Sequence, residues 1–139
     1  MGSFDFEKVK DPLFFQENRL EAHSDHVCYA SEYEQMERRS SYRMSLNGLW
    51  KFAYANNMGQ AIAGFEAVDY DCKTWDDIRV PAHIQMEGHG NPHYTNTAYP
   101  WEGREVVEPG EIPEQFNPVA SYVRYFTLPD KWKKHRVCI

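Results

Sequence analysis

The sequence predicts an all-β fold, an antiparallel β-sandwich that is partly present and is preceded by an irregular N-terminal arm. Three observations predict it. Short runs alternate ring and small or polar residues with period two, long Pro/Gly-containing loops separate them, and no helical pattern lasts beyond a few turns. Aromatic residues make up 15% of the 139 positions, and rings at this density suit pleated sheets and polar-ligand surfaces.

Residues 1–20 show no sustained period, and Asp11-Pro12 marks a turn within them. The charged run "SEYEQMERRSSY" at 31–42 predicts a helical turn or two on a surface, because Tyr33, Met36 and Tyr42 make a poor apolar stripe. In "SLNGLWKFAYA", residues 45–55, Trp50, Phe52 and Tyr54 alternate with Lys51, Ala53 and Ala55, which predicts a strand entered through Asn47-Gly48. The small residues of "NMGQAIAGFEAVDYD" suit a short helix. "WDDIRVP", residues 75–81, reads as a strand closed by Pro81, and "ASYVRYFTLP", residues 120–129, as another. "PDKWKKH" is a turn and "RVCI" the start of a further strand, the fourth named of about five expected in all. A strand cut at the terminus implies that the sandwich is incomplete.

Composition excludes several function classes. The net charge is −6 and no basic run is long enough to follow a phosphate backbone, which disfavours nucleic acid. No apolar stretch reaches the roughly 20 residues of a membrane span. Three scattered cysteines, Cys28, Cys72 and Cys138, fit neither a disulfide scaffold nor a zinc knuckle. With no signal peptide pattern at the N-terminus, a reducing cytoplasm is the expected compartment.

Candidate chemistry is sparse. Glutamates at 102, 105, 108, 111 and 114 recur every third residue beside Pro109 and Pro113, so a polyproline-like ribbon would align them. Nothing apolar encloses them to raise a carboxyl pKa, so they read as a solvated loop rather than an acid–base pair. His89 and His93 have the spacing of a helical metal pair, but Gly90 and Pro92 between them forbid the helix, and His23/His26 lack a companion cysteine. No metal site and no catalytic residue is expected in the chain. The stretch "PHYTNTAYP", residues 92–100, holds Asn96 among rings between two prolines. Taken from the residues alone, Asn96 reads as a turn asparagine bonding its own backbone. His93, Tyr94 and Tyr99 read as rings that either pack beneath the loop or line a pocket, and packing is the favoured reading for each.

Five motifs in register carry a resemblance: "NRLEAHS" (18–24), "SLNGLWKFAYA", "WDDIRVPAHIQMEGHGNPHYTNTAYP", "IPEQFNPVASYVRYFTLPDKW" and "HRVCI". Together they make the chain, from about Asp11 to Ile139, similar to the N-terminal part of the family 2 β-galactosidases of bacterial lactose operons. The resemblance implies residues 1–44 as an extended arm and surface segment. It implies residues 45–139 as the first part of a jelly-roll sugar-binding domain of the galactose-binding-domain-like kind, truncated before the sandwich is complete. It further implies a parent enzyme, a retaining hydrolase of terminal β-D-galactosides such as lactose, whose catalytic glutamates lie outside this chain. The chain alone is accordingly expected to be inactive. Asn96 is implied as the residue that contacts the galactosyl unit.

An amide suits that role, since it matches a hydroxyl's mixed donor and acceptor character and stays neutral beside catalytic carboxylates. Magnesium and sodium are implied in the parent and none in this segment. Asp11 falls where some relatives have an asparagine near a structural magnesium, and Phe14 where a backbone carbonyl joins it, but Lys8 replaces an upstream aspartate and would repel a cation. Implied partners are the galactoside substrate, the remaining domains of the parent and further copies of that parent in a homo-oligomer. Two other readings stay open: a non-catalytic carbohydrate-binding module, and a fragment that complements a truncated parent.

Overall fold

A computed structural model describes residues 5–24, 26–93, 96 and 98–139. They divide into two compact units: residues 5–17 with Asn47–Arg124, and Asn18–Leu46 with Tyr125–Ile139.

The first unit is built on one antiparallel sheet with the strand order β2-β1-β3. Strand β1 is Gly48–Ala55, β2 is Asp76–Val80 and β3 is Val119–Val123. The period-two pattern of β1 explains why it is central. Trp50 pairs with Ile78 of β2 and Phe52 with Tyr122 of β3, so these positions share one face. On that face Phe52 and Ile78 are each 1% exposed, and the Phe52 and Tyr122 rings meet edge to face at 5.0 Å. Burial of one such side chain contributes about 1.5–3 kcal/mol. Lys51, opposite Asp77 in the register, forms an ion pair with it at 3.0 Å and donates to the Trp75 carbonyl at 3.3 Å. Trp75 itself is buried against Phe65 and Tyr70.

The strands at 45–55 and 75–81 are found close to the expected bounds. The third is shorter than the sequence predicts. Its ladder with β1 ends at Lys51↔Val123, and the next residue, Arg124, turns its guanidinium onto the Leu49 carbonyl. A β1 acceptor satisfied by a side chain no longer needs a ladder partner there, and residues 124–129 are not in a strand. "RVCI" is likewise not a strand, so three strands rather than five are present among the described residues. The expected helix in 57–71 is reduced to the 3₁₀ turn Met58–Gln60, capped by the Asn57 side chain, and turns follow it.

In the second unit the charged run forms one helix, α1, Glu32–Met36, started by a Ser31 side-chain cap. Tyr33 is 72% and Met36 81% exposed, as expected of a surface segment. Trp132 is buried and donates its indole N–H to the Ser41 carbonyl at 3.2 Å.

Candidate functional site

Strands β2 and β3 flank β1, so the chain between them, residues 81–118, must pass from one edge of the sheet to the other. A connection of that length with no strand among its described residues is the usual setting for a binding loop. Its path can be followed from fixed point to fixed point.

The first fixed point is the turn at 83–89, where Met86 donates to the His83 carbonyl at 2.9 Å and His89 to that of Ile84 at 3.1 Å. This turn lays the His89 imidazole against Phe52, with centroids 4.5 Å apart. Gly90 then passes close to the Tyr54 side chain.

The second fixed point is Phe116. The His93 ring lies 5.7 Å from it, tilted by 52°, and the Arg104 guanidinium sits 3.7 Å over its centroid. Phe116 is held by its backbone as well. Its N–H donates to Glu105 Oε2 at 3.1 Å, while those of Glu114 and Gln115 donate to the same carboxylate, each at 2.6 Å. Both neighbours of Phe116 are tied to the end of β1, Gln115 through its carbonyl to Asn57 Nδ2 and Asn117 through its N–H to the Asn56 carbonyl, each at 3.0 Å.

The third fixed point is the Tyr99–Trp101 pair, stacked at 5.1 Å with planes 9° apart. Asn96, exposed at a bend, is three residues along the chain from each of His93 and Tyr99.

The sequence-predicted residues are thus distributed. His89 and His93 serve two different ring contacts and do not converge. Tyr99 is 66% exposed and stacks on Trp101 rather than packing beneath the loop. The packing expected of Tyr94 lies outside the described residues. Of the five evenly spaced glutamates, 102, 108, 111 and 114 are exposed, as a solvated loop requires. Glu105 departs from that expectation: it is half-buried and binds three amides. Sequence reasoning missed Glu105, Phe116 and Asn57. The signal available for them was the motif "IPEQFNP", whose turn needs an acceptor for three successive N–H groups.

The arm carries its own geometry. Lys10 pairs with Glu114 at 3.3 Å, Glu111 at 3.4 Å and Glu7 at 3.6 Å, and the hydrogen bonds it donates to Glu114 and then Glu111 hold its pKa above the usual 10.5. Lys8 pairs with Glu17 at 2.9 Å and lies 4.9 Å over the Phe14 ring, while Asp11 Oδ1 accepts the Leu13 N–H. Residues so engaged do not fit a divalent cation at Asp11 and Phe14, since the Lys8 ammonium already supplies positive charge there. Among the described residues no group of three His, Cys, Asp or Glu could hold a metal ion.

In the second unit a groove of about 630 Å³ is lined chiefly by apolar side chains, among them Tyr42, Phe126, Leu128 and Val137. Its polar lining comprises Arg43, His135 and Arg136. No helix among the described residues is long and apolar enough to cross a membrane.

Comparison with known proteins identifies the kind of domain that carries this loop. A profile of the family described as "Glycosyl hydrolases family 2, sugar binding domain" matches residues 43–139. The chain is 49% identical over 132 residues to a beta-galactosidase of Halalkalibacterium halodurans, covering 94% of this chain and 13% of that protein. It is 41% identical over 131 residues to a beta-galactosidase of Streptococcus thermophilus, with the same two coverages. A beta-galactosidase large subunit of Latilactobacillus sakei is 36% identical over 140 residues, or 92% of this chain and 22% of that protein. The chain therefore spans about an eighth of the length of the first two relatives. With the family match covering most of its residues, the chain belongs to glycosyl hydrolases family 2, in its sugar binding domain.

Proposed function

We propose that this chain is the N-terminal sugar-binding segment of a retaining β-galactosidase that hydrolyses terminal β-D-galactosides such as lactose. The observation that carries the reading is its 49% identity, over nearly all of its residues, to a protein named beta-galactosidase. In such a reaction one carboxylate attacks the anomeric carbon while a second acts first as acid and then as base, and the intermediate is a covalent glycosyl-enzyme. Both carboxylates would come from polypeptide beyond this segment, as would the ligands of any magnesium or sodium in the parent. The segment contributes Asn96, whose exposed amide bonds a galactosyl hydroxyl more tightly in the distorted transition state than in the ground state.

The arm would serve a subunit interface in a homo-oligomeric, cytoplasmic parent. Leu13 and Phe15, 84% and 78% exposed, are the apolar side chains such an interface would cover.

The full-length protein carrying this segment, assayed on lactose with the product anomer followed by NMR, should release galactose with retained configuration. Release with inversion, or no hydrolysis of any β-galactoside, would overturn the reading. The isolated chain should hydrolyse nothing and give no measurable heat with galactose or lactose. A heat of binding would instead favour a free-standing carbohydrate-binding module.

A further inference from the structure

We propose that Phe116 and Glu105 are positioning residues for Asn96, and that "IPEQFNP" is the turn that references the sugar-facing loop to the central strand. The proposal rests on the reading of Asn96 as a sugar contact and extends it to residues that touch no sugar.

The connection can be traced among the described residues to His93 on one side of Asn96 and to Tyr99 on the other. The end of β1 holds the backbone on both sides of Phe116 through Asn56 and Asn57. The Glu105 carboxylate gathers the N–H groups of Glu114, Gln115 and Phe116, which fixes the direction in which the Phe116 ring leaves the backbone. That ring meets His93, three residues before Asn96, and carries Arg104 over its face. On the far side, Tyr99, three residues after Asn96, stacks on Trp101, and the Trp101 carbonyl accepts the N–H of Glu105 at 3.2 Å. Both ring anchors of the loop therefore lead back to Glu105. Two anchors at equal sequence distance restrict where an amide between them can stand. A neutral hydrogen-bonding group gains from such restriction, because a displacement of about 1 Å can cost up to a hundredfold in rate.

A double-mutant cycle in the full-length enzyme tests this, with β-galactoside hydrolysis as one readout and hydrogen exchange of the peptide covering 92–100 as the other. Phe116→Ala should lower kcat/KM roughly tenfold to a hundredfold. It should cause little further loss in the Asn96→Ala background, because the ring acts through Asn96. Phe116→Tyr keeps an aromatic ring and should restore the activity. Glu105→Gln, which turns one acceptor into a donor facing an N–H, should act in the same direction and serves if Phe116→Ala does not fold. Both disruptive variants should speed exchange in 92–100 and leave β1 unchanged. Equal losses in both backgrounds, or unchanged exchange in 92–100, would overturn the proposal. If Asn96→Ala alone is silent while Phe116→Ala still speeds exchange, the sugar contact is wrong and the positioning of the loop stands.

Discussion

The His89 imidazole covers Phe52, ring centroid to ring centroid at 4.5 Å, so a loop histidine closes the most buried part of the central strand. The ring also lies 6.1 Å from Tyr54, which places it over two successive inward positions of β1. Phe52→Ala should destabilise the chain by about 3–5 kcal/mol, the cost of removing a fully buried ring. His89→Ala should cost about 0.5–1.5 kcal/mol for the lost ring pair, and His89→Tyr should recover most of it. Urea unfolding followed by tryptophan fluorescence measures all three. Equal stabilities for wild type and His89→Ala would show that the contact carries no energy.

Gly90 extends this packing. Its φ is +67°, and a Cβ there would stand 2.8 Å from the Tyr54 hydroxyl oxygen and 3.3 Å from Cζ. Gly90→Ala should therefore lose about 1–2 kcal/mol from the left-handed backbone alone, and more from the contact. Tyr54→Phe should relieve part of the second loss and none of the first. The same unfolding measurement on the four members of that cycle separates the two. A Gly90→Ala chain as stable as wild type would contradict both.

These two contacts also show where sequence reading succeeded and where it ran out. The alternation of Trp50, Phe52 and Tyr54 marked β1 because a pleated strand buries every second residue, and that rule is local. His89 gave no comparable signal. Its partner lies 37 positions earlier in the chain, and its spacing from His93 suggested only a metal pair that Gly90 and Pro92 already forbid. Glu105 shows the same limit: its regular spacing with four other glutamates implied solvent, whereas its three amide partners lie nine to eleven residues further on. The end of β3 was hidden for a related reason, since the pattern through 129 continues but the Arg124 side chain meets the β1 acceptor first. Local periodicity was legible, and contacts made across a long connection were not. Asn96 became a candidate through family resemblance, because an exposed asparagine at a bend is also what an ordinary turn contains.

Lys10 joins the arm to the glutamate loop through Glu114 and Glu111. Its pKa is raised in the folded chain, so the stabilisation is fully present below the usual 10.5 and is lost as pH rises through the raised value. Lys10→Gln should release the loop at neutral pH. Digestion with a glutamate-specific protease should then cut after Glu111 and Glu114 faster than in wild type. Added salt should narrow the difference by speeding wild-type cleavage, because the pairs are near the surface. Cleavage at the same rate with and without Lys10 would leave it no part in holding the loop.

Glu34 provides a pH response of opposite sign in the second unit. Its carboxylate accepts the N–H groups of Ala30 at 2.9 Å and Ser41 at 3.0 Å, and these bonds hold its pKa below the usual 4.5, that from Ala30 most. A depressed carboxyl contributes stability above 4.5 that disappears as pH falls through the lowered folded value. Ser41 also accepts the Trp132 indole N–H, so loosening this turn should move that resonance. On acidification below about pH 4.5 the Trp132 indole signal should shift in wild type, and in Glu34→Gln it should stay in place through the same range. An identical titration in both would assign the change to another group.

Asn96 is where a substitution should reach the chemistry of the parent. In the full-length enzyme Asn96→Ala removes an amide that bonds a hydroxyl at the transition state, and kcat/KM should fall by about 1–3 kcal/mol of transition-state stabilisation. Asn96→Asp separates hydrogen bonding from charge. The carboxylate retains an acceptor, but it places a negative charge near the catalytic acids, and a like charge raises the pKa of the group that must donate a proton. The alkaline limb of the kcat/KM profile should therefore move to higher pH in Asn96→Asp and stay in place in Asn96→Ala. Loss of rate in both variants without displacement of either limb would mean that Asn96 binds sugar at a distance from the acids. Unchanged kcat/KM in Asn96→Ala would remove the residue from the site, and the loop with its two ring anchors would then have to be explained by stability alone.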